Sequence, residues 1–436
     1  MSPSLFRALA LRLVRLYHPR LGVDRPALPA GPWIVVANHP SGLIDPLVLQ
    51  LALGQRLGFL AKAALFKNAA GRFAMEAFDA IAVARRHDGG GADADRQQND
   101  ATFAACRARL AQGKHLALFP EGISHPGPEL APLRTGAARI ALSAVAEGTE
   151  VLHIVPVGLL YGHRQTFRSP VSALVGAPID VGAFYRTHGD GVEAVRALTE
   201  AVREALVQVV LEAESAAIWQ GLRVVAAVTD TEAGGAEAQT RIHRRALVLA
   251  EGFKRLSARD PERASALVAQ AQAYLEAAEE AGLLAPEDDR AALVLEAPAP
   301  LGRLLGLLLA LPLAAVGAVA NWPTYRGIGR LANRLAGADT DVTSTYKLLG
   351  GMAFFPLTWL VWSVLGLCFV GPTGLLAGPV AAVTAPIALW VGERLDRRRR
   401  ALRAAWLRLA RAPVAFALAE QRRALAAAVE AALRGL

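Results

Sequence analysis

Cysteine is nearly absent from this sequence of 436 residues: Cys106 and Cys368 are the two it has. One pair in distant regions gives no disulfide framework and fits a reducing compartment. No histidine, cysteine or carboxylate group falls at metal-ligand spacing, so no bound metal is expected. Zinc-finger spacing and the aromatic signature of RNA-binding sheets are also missing, which sets nucleic acid aside as a partner for the positive charge. The first residues lack the clean apolar core of a secretory signal, because Arg7, Arg12 and Arg15 interrupt it. The most telling absence comes later. From Leu348 to Gly392 there is no Asp, Glu, Lys, Arg or His, a run that can hold two membrane-spanning helices of about 20 residues each.

What is present agrees with that run. Hydrophobic residues make up 53% of the chain and its mean hydropathy is +0.32, high for a wholly soluble protein. The net charge is +9 and the pI about 10.0. A basic balance suits phosphate-bearing ligands and anionic lipid headgroups. The length allows one sizeable α/β domain plus further elements.

The chemistry begins at Trp33-Ile34-Val35-Val36-Ala37, an apolar run that reads as a buried parallel strand. Asn38-His39-Pro40-Ser41-Gly42-Leu43-Ile44-Asp45 follows, and Asp45-Pro46 opens a helical stretch. His39 thus falls in a strand-to-helix loop at a strand's carboxyl end, where open α/β sheets bind ligands. Two readings of the pair are open on these residues alone. Either His39 is a general base oriented by the Asp45 carboxylate, or Asp45 only caps the helix and His39 only bonds to backbone.

Further segments surround this loop. Gly58-Phe59-Leu60-Ala61-Lys62 reads as a second strand, and Ala80-Ile81-Ala82-Val83 as a third that ends at Arg85-Arg86. Arginines at a sheet's carboxyl edge suit a phosphate, since guanidinium pairs with its oxygens bidentately; a solvated basic loop is the other reading. Leu116-Ala117-Leu118-Phe119 is a fourth strand, followed by Pro120-Glu121-Gly122-Ile123-Ser124-His125. Glu121 there can accept from substrate hydroxyls, and Gly122 lets backbone approach a ligand. Thr135, after Leu133-Arg134, is a candidate cap for a helix whose N-terminus, with Arg134 beside it, favours an anion. His153-Ile154-Val155-Pro156-Val157-Gly158-Leu159 is another strand, whose proline predicts an edge or bulge position.

Taken in order, these segments resemble the motifs of the glycerolipid acyltransferase (PlsC-like) family. Asn38-His39 to Asp45 is similar to its NHxxxxD block, Ala82-Val83-Ala84-Arg85 to its second block, Phe119-Pro120-Glu121-Gly122 to its third and Val155-Pro156-Val157 to its fourth. The second block departs from the pattern, with Asp79 and Ala82 where the family usually has Gly and Pro. Leu130-Ala131-Pro132-Leu133-Arg134-Thr135-Gly136, Phe167-Arg168-Ser169 and Asp341-Val342-Thr343-Ser344-Thr345-Tyr346-Lys347 look like the branch of yeast-type glycerol-3-phosphate/dihydroxyacetone-phosphate acyltransferases. The resemblance implies an α/β fold with a mixed, largely parallel sheet flanked by helices. It implies His39 and Asp45 as the catalytic pair, and Lys62, Arg85, Glu121, Gly122 and Arg134 as substrate-binding residues. It implies no cofactor, only an acyl-CoA or acyl carrier protein thioester as co-substrate. The expected acceptor is the sn-1 hydroxyl of glycerol-3-phosphate in phospholipid biosynthesis, with lysophosphatidate as the alternative. A different class of reading, a non-catalytic membrane protein with a decayed acyltransferase fold, sits poorly with the intact pair.

The chain divides on composition. Residues 1–19 read as a basic amphipathic helix, suited to a membrane surface or to packing on the domain. Residues 20–215 hold the acyltransferase domain and 216–300 a solvated helical region. Residues 301–392 read as a membrane-associated region with a helical hairpin turning at Gly371-Pro372-Thr373-Gly374, and 393–436 as a basic C-terminal helix. Leu304–Ala320, interrupted by Gly306, Pro312 and Gly317, is expected to be a short non-spanning element. Two spans between Leu348 and Gly392 then put Lys347 and Arg394–Arg400 on one face. The positive-inside rule makes that face the cytoplasmic side of the cell membrane, with the catalytic domain there too.

Overall fold

The computed structural model describes residues 2–83, 92–125, 127–230, 237–283, 301–337, 342–410 and 413–434. They form two compact units, Met1–Ala226 with Glu232–Ala258, and Ala227–Thr231 with Arg259–Leu436.

In chain order the first unit holds α1 (Pro3–Tyr17), β1 (Leu21–Asp24), β2 (Trp33–Ala37), α2 (Ile44–Leu53), β3 (Leu57–Lys62), α3 (Ala69–Ala77), β4 (Ile81–Val83), α4 (Ala92–Ala111) and β5 (His115–Leu118). It continues with α5 (Gly136–Ala146), β6 (His153–Tyr161), β7 (Val171–Val175), β8 (Ile179–Asp180), α6 (Val181–His188), α7 (Val192–Val207), α8 (Ala216–Val228) and α9 (Ala238–Arg259). The strands make one sheet in the order β1-β7-β6-β2-β5-β3-β4, with β8 beside the start of β6. Neighbours are parallel except that β7 and β8 run antiparallel to β6. This is the mixed, largely parallel sheet with flanking helices that the motifs imply.

The central strands are apolar throughout because both faces are covered: every residue of β2 is buried. On one face Ile34, Val36, Leu116 and Leu118 pack with Ile140 and Leu142 of α5 and Leu198 and Val202 of α7. Four parallel strands, β2, β5, β3 and β4, therefore deliver their carboxyl ends to a single edge.

The structure departs from some of these expectations and refines others. Pro156 is on neither an edge strand nor a bulge; β6 lies inside the sheet, paired with β2 through Pro156 itself. The proline falls where the antiparallel partner of β6 switches, from β8 at Ile154 to β7 at Val157. A missing N–H is tolerated there because neither partner's ladder covers it. The apolar side of α1 is split: Phe6 packs on Phe73 and Phe78, Val14 and Tyr17 are buried, and Leu5, Leu9 and Leu16 stay exposed. The stretch after residue 215 is not merely solvated. Leu222, Val224 and Val225 of α8 and Ile242, Ala246 and Leu249 of α9 are buried. Nδ1 of His243 in α9 also meets Ser172 Oγ of β7 at 2.8 Å, both residues wholly buried.

The second unit is helical: α10 (Pro261–Glu280), α11 (Leu301–Ala336), α12 (Thr343–Val370), α13 (Ala377–Leu409) and α14 (Pro413–Arg434). Among the described residues, three segments are long and apolar enough to cross a membrane, Gly306–Ala336, Thr343–Val370 and Pro372–Asp396. Leu304–Ala320 is thus no short element. It is part of one 36-residue helix that runs through Pro312 and Pro323, about 54 Å at 1.5 Å per residue. The turn after α12 falls where expected, Gly371 with φ 83° leading into a short 3-10 turn at Pro372–Leu376.

α11 and α13 run in opposite directions. Leu307 and Ala314 pack with Val391, Gly317 lies against Thr384, and Asn321 donates to the Ala381 carbonyl at 3.0 Å. α12 also runs against α11, with Ile328 beside Gly350 and Trp362 Nε1 donating to Ala320 O at 3.1 Å. α10 and α14 pack together.

Candidate active site

The loop after β2 is held by the loop after β5. The His39 N–H donates to Glu121 Oε1 at 3.1 Å, and the His39 carbonyl accepts from the His125 N–H at 2.9 Å and from Ser124 Oγ at 3.1 Å. Asn38 locks the other flank, accepting from the Leu159 N–H at 2.8 Å and donating to the Leu159 carbonyl at 3.0 Å. Position 39 is therefore fixed from both neighbouring strands, β5 and β6, before its side chain is considered.

His39 Nδ1 lies 2.8 Å from Asp45 Oδ2, and the imidazole stacks on Phe119 with centroids 3.9 Å apart. A buried carboxylate beside Nδ1 holds the proton on that nitrogen and leaves the Nε2 lone pair for chemistry. Asp45 is 0% exposed. It does not cap the helix: it lies within the first turn of α2 and its carboxylate points back to the loop, accepting from the Ser41 N–H at 2.8 Å as well. Tyr161, the last residue of β6, donates its phenol O–H to Asp45 Oδ1 at 2.6 Å. Burial and the adjacent Asp45 charge hold that phenol well above its ordinary pKa, so it stays a neutral donor. His18, from the end of α1, meets the Tyr161 ring edge-on at 5.2 Å and is pushed down to about 4 by burial, hence neutral.

The expected binding residues take different places. Glu121 is buried, and its second oxygen accepts from the Ala131 N–H at 2.8 Å. Burial raises its pKa, against the opposing pull of these bonds. Both oxygens are engaged with backbone, so the carboxylate ties two loops together. Gly122 turns at φ +71°, and the Arg134 side chain lies across it in the space a Cβ would need. Arg134 is exposed, with its N–H on the Pro120 carbonyl at 2.8 Å. Thr135 forms no side-chain cap on α5. Lys62 is exposed at the end of β3, in register with Val83 of β4. Arg85, two residues past Val83, lies outside the described residues. The structure thus joins His39, Asp45, Glu121 and Gly122 at one strand edge, with Lys62 two strands away.

Sequence reasoning passed over Phe119, Ser124 and Asn38, although each stood inside a quoted motif. Tyr161 had no such signal: it ends an apolar run and its partner is 116 residues away. A cavity of about 330 Å³ opens on the β6 side of the loop, lined by Asn38, Pro40, Glu121, His125, Leu160 and Arg223 among others.

Residues 23–160 match the family model described as Acyltransferase. An uncharacterized acyltransferase of Schizosaccharomyces pombe is 33% identical over 111 residues, 24% of this chain and 16% of that protein. Two Saccharomyces cerevisiae proteins are also similar. Glycerol-3-phosphate O-acyltransferase 2 is 40% identical over 93 residues, 21% of this chain and 12% of that protein. Glycerol-3-phosphate O-acyltransferase 1 is 27% identical over 282 residues, 59% of this chain and 36% of that protein. The chain thus matches no more than 36% of the length of these curated relatives. Among solved structures, the 1-acyl-sn-glycerophosphate acyltransferase PlsC of Thermotoga maritima aligns with a TM-score of 0.32 at 18% identity, over 46% of this chain and 79% of that one. That likeness is too slight to carry an argument.

Proposed function

We propose that this chain, whose residues 23–160 form an Acyltransferase-family domain of the PlsC type, is a membrane-bound glycerolipid acyltransferase. It moves a fatty acyl group from acyl-CoA or acyl carrier protein to the sn-1 hydroxyl of glycerol-3-phosphate. The observation that carries this reading is the His39–Asp45 contact at 2.8 Å with Asp45 wholly buried.

His39 Nε2 takes the proton of the acceptor hydroxyl as its oxygen attacks the thioester carbonyl. Asp45 stabilises the imidazolium that forms. The tetrahedral oxyanion collapses, the C–S bond breaks, and the departing thiolate takes the proton from His39. The acceptor hydroxyl is itself the nucleophile, so no acyl-enzyme is needed. Cys106 is ill suited to form one: burial pushes its thiol up to about 12. Lys62, Arg85 and Arg134 hold the acceptor phosphate, while Glu121 and Gly122 shape the loop that presents them.

The test is an acyl-transfer assay on purified membranes. Labelled acyl-CoA is offered with glycerol-3-phosphate, dihydroxyacetone phosphate or lysophosphatidate. Label in lysophosphatidate formed from glycerol-3-phosphate supports the reading. Label only in phosphatidate would make lysophosphatidate the acceptor, and no labelled product with any of the three would remove the activity.

The second unit supports an anchor in the cell membrane that leaves and returns on one side. α11 and α13 are antiparallel, so the segments near Leu307 and Val391 share an end. α10 and α14, which flank them in sequence, pack together and cannot do so across a bilayer. α11 and α13 are then the outward and return crossings, and α12 adds no net crossing. Arg394 and Arg398–Arg399 stay with α10 on the cytoplasmic side, as does the catalytic domain. In a chain stripped of its own cysteines, single cysteines at Ser265 and Ala424 are expected to resist an impermeant maleimide in intact cells, and one at Leu335 to react. Labelling of only one of Ser265 and Ala424 would overturn this topology.

A further inference from the structure

β6 reaches four residues beyond the Val157 register where its pairing with β2 ends. Its last residue, Tyr161, thereby arrives beneath Asp45. The Asp45 carboxylate has two differently served oxygens. Oδ2 receives His39 Nδ1 and the Ser41 N–H, each at 2.8 Å, and Oδ1 receives the Tyr161 hydroxyl at 2.6 Å. Asp45 is 0% exposed and Tyr161 5%, so water does not substitute for the phenol. An ionised oxygen left bare at such a site is costly.

We propose that Tyr161 is a positioning residue of the acyl-transfer site: by donating to Asp45 Oδ1 it fixes which carboxylate oxygen faces His39 and lowers the proton affinity of the His39–Asp45 pair. This rests on the reading of His39 as general base. The sign follows from charge. The pair is anionic when His39 is neutral and uncharged overall when His39 is protonated. A donor on Asp45 stabilises the anionic form and so favours neutral His39, the form that can accept a proton. The other titratable groups around the pair are His18 from α1, edge-on to Tyr161, and Glu121 and His125, whose loop holds the His39 backbone. Tyr161→Phe leaves all three in place, so the change in the pH profile isolates the hydroxyl.

The experiment measures kcat and KM against pH for the full chain in detergent, as wild type, Tyr161→Phe, and with 3-fluorotyrosine at position 161. Loss of the donor is expected to move the acidic limb of kcat/KM up by about one pH unit, the scale of a charge-assisted hydrogen bond. kcat should fall about tenfold, with KM for both substrates within about twofold. The fluorinated phenol is a stronger donor and should move the limb the opposite way. This second arm keeps the test decisive if Tyr161→Phe does not fold. A limb unmoved by fluorination, or a folded Tyr161→Phe that loses rate without a shift, would leave Tyr161 a packing residue and overturn the proposal. His39→Ala, run alongside, separates the two ideas. Activity without His39 would sink the general-base reading, whereas an inactive His39→Ala with an unshifted Tyr161→Phe would sink the Tyr161 role alone.

Discussion

The two units of this protein are inverted with respect to polarity. In the first, leucines and valines fill the core, and a buried hydrogen-bonded network, His39–Asp45–Tyr161, serves the site. In the second, the large apolar side chains face outward: Leu309 is 71% exposed, Val319 72% and Phe369 84%. Polar groups turn inward instead, where Asn321 is buried, donates to the Gly317 and Ala381 carbonyls and accepts from Trp359 Nε1. Small residues set the contacts, as at Gly317 against Thr384 and Gly378 against Trp359. Water drives the first arrangement. Lipid, as apolar as leucine, gives no such drive, so close packing and interhelical hydrogen bonds hold the second. The same residue types thus have opposite meanings in the two halves.

That contrast is best broken at the points where it is strongest. The largest expected effect is on chemistry: His39→Ala should lose about 10²- to 10⁴-fold in acyl transfer and leave the protein folded, while Asp45→Asn loses most activity. Acid comes next and should act on the first unit through His18 and His243. Burial lowers their values to about 4 and about 3, against about 6.5 in the unfolded chain. Between those limits the unfolded state binds more protons, so stability is complete above about pH 6.5 and falls as pH drops, by about 1.4 kcal/mol per pH unit for each histidine. Thermal inactivation midpoints of the solubilised protein between pH 7.5 and 5.5 measure this, and His243→Phe should flatten the slope.

Two smaller effects sharpen the comparison. A Cβ at Gly317 collides with the Thr384 backbone, so Gly317→Val should weaken the α11–α13 contact by about 1–3 kcal/mol. The readout is a lower fraction of monodisperse protein in detergent. Asn321→Leu, harmless on a lipid-facing surface, should cost about 0.6–1.7 kcal/mol here. The smallest change is kinetic. Arg134→Lys should raise the apparent KM for the phosphate acceptor several-fold and leave that for the acyl donor, because lysine loses the bidentate geometry. Equal effects on both substrates would remove Arg134 from the phosphate site.

Local physics made much of this legible. An uninterrupted apolar run marked β2 as a strand covered on both faces, and a strand-loop-helix pattern put His39 at a carboxyl edge. The uncharged stretch from Leu348 announced helices without an aqueous surface. The departure from the family pattern at Asp79 is accommodated by the structure. Asp79 takes φ +55°, a conformation that favours glycine, and its carboxylate is held by Arg56 and Arg109. Aspartate is among the few residues that tolerate this region.

The amino-acid sequence by itself determined β2 to β6, which loop would carry the histidine, and that the stretch from Leu348 would form apolar helices, because each depends on neighbours within a few residues. The tertiary structure alone decided that Asp45 turns back to His39 instead of capping its helix, and that Tyr161 completes the pair. It also decided that Pro312 lies inside a continuous helix and that α13 returns against α11. The Tyr161–Asp45 and α11–α13 contacts join residues far apart in the chain, which no short window of sequence contains; the turn of Asp45 and the continuity through Pro312 are choices among alternatives of similar local energy.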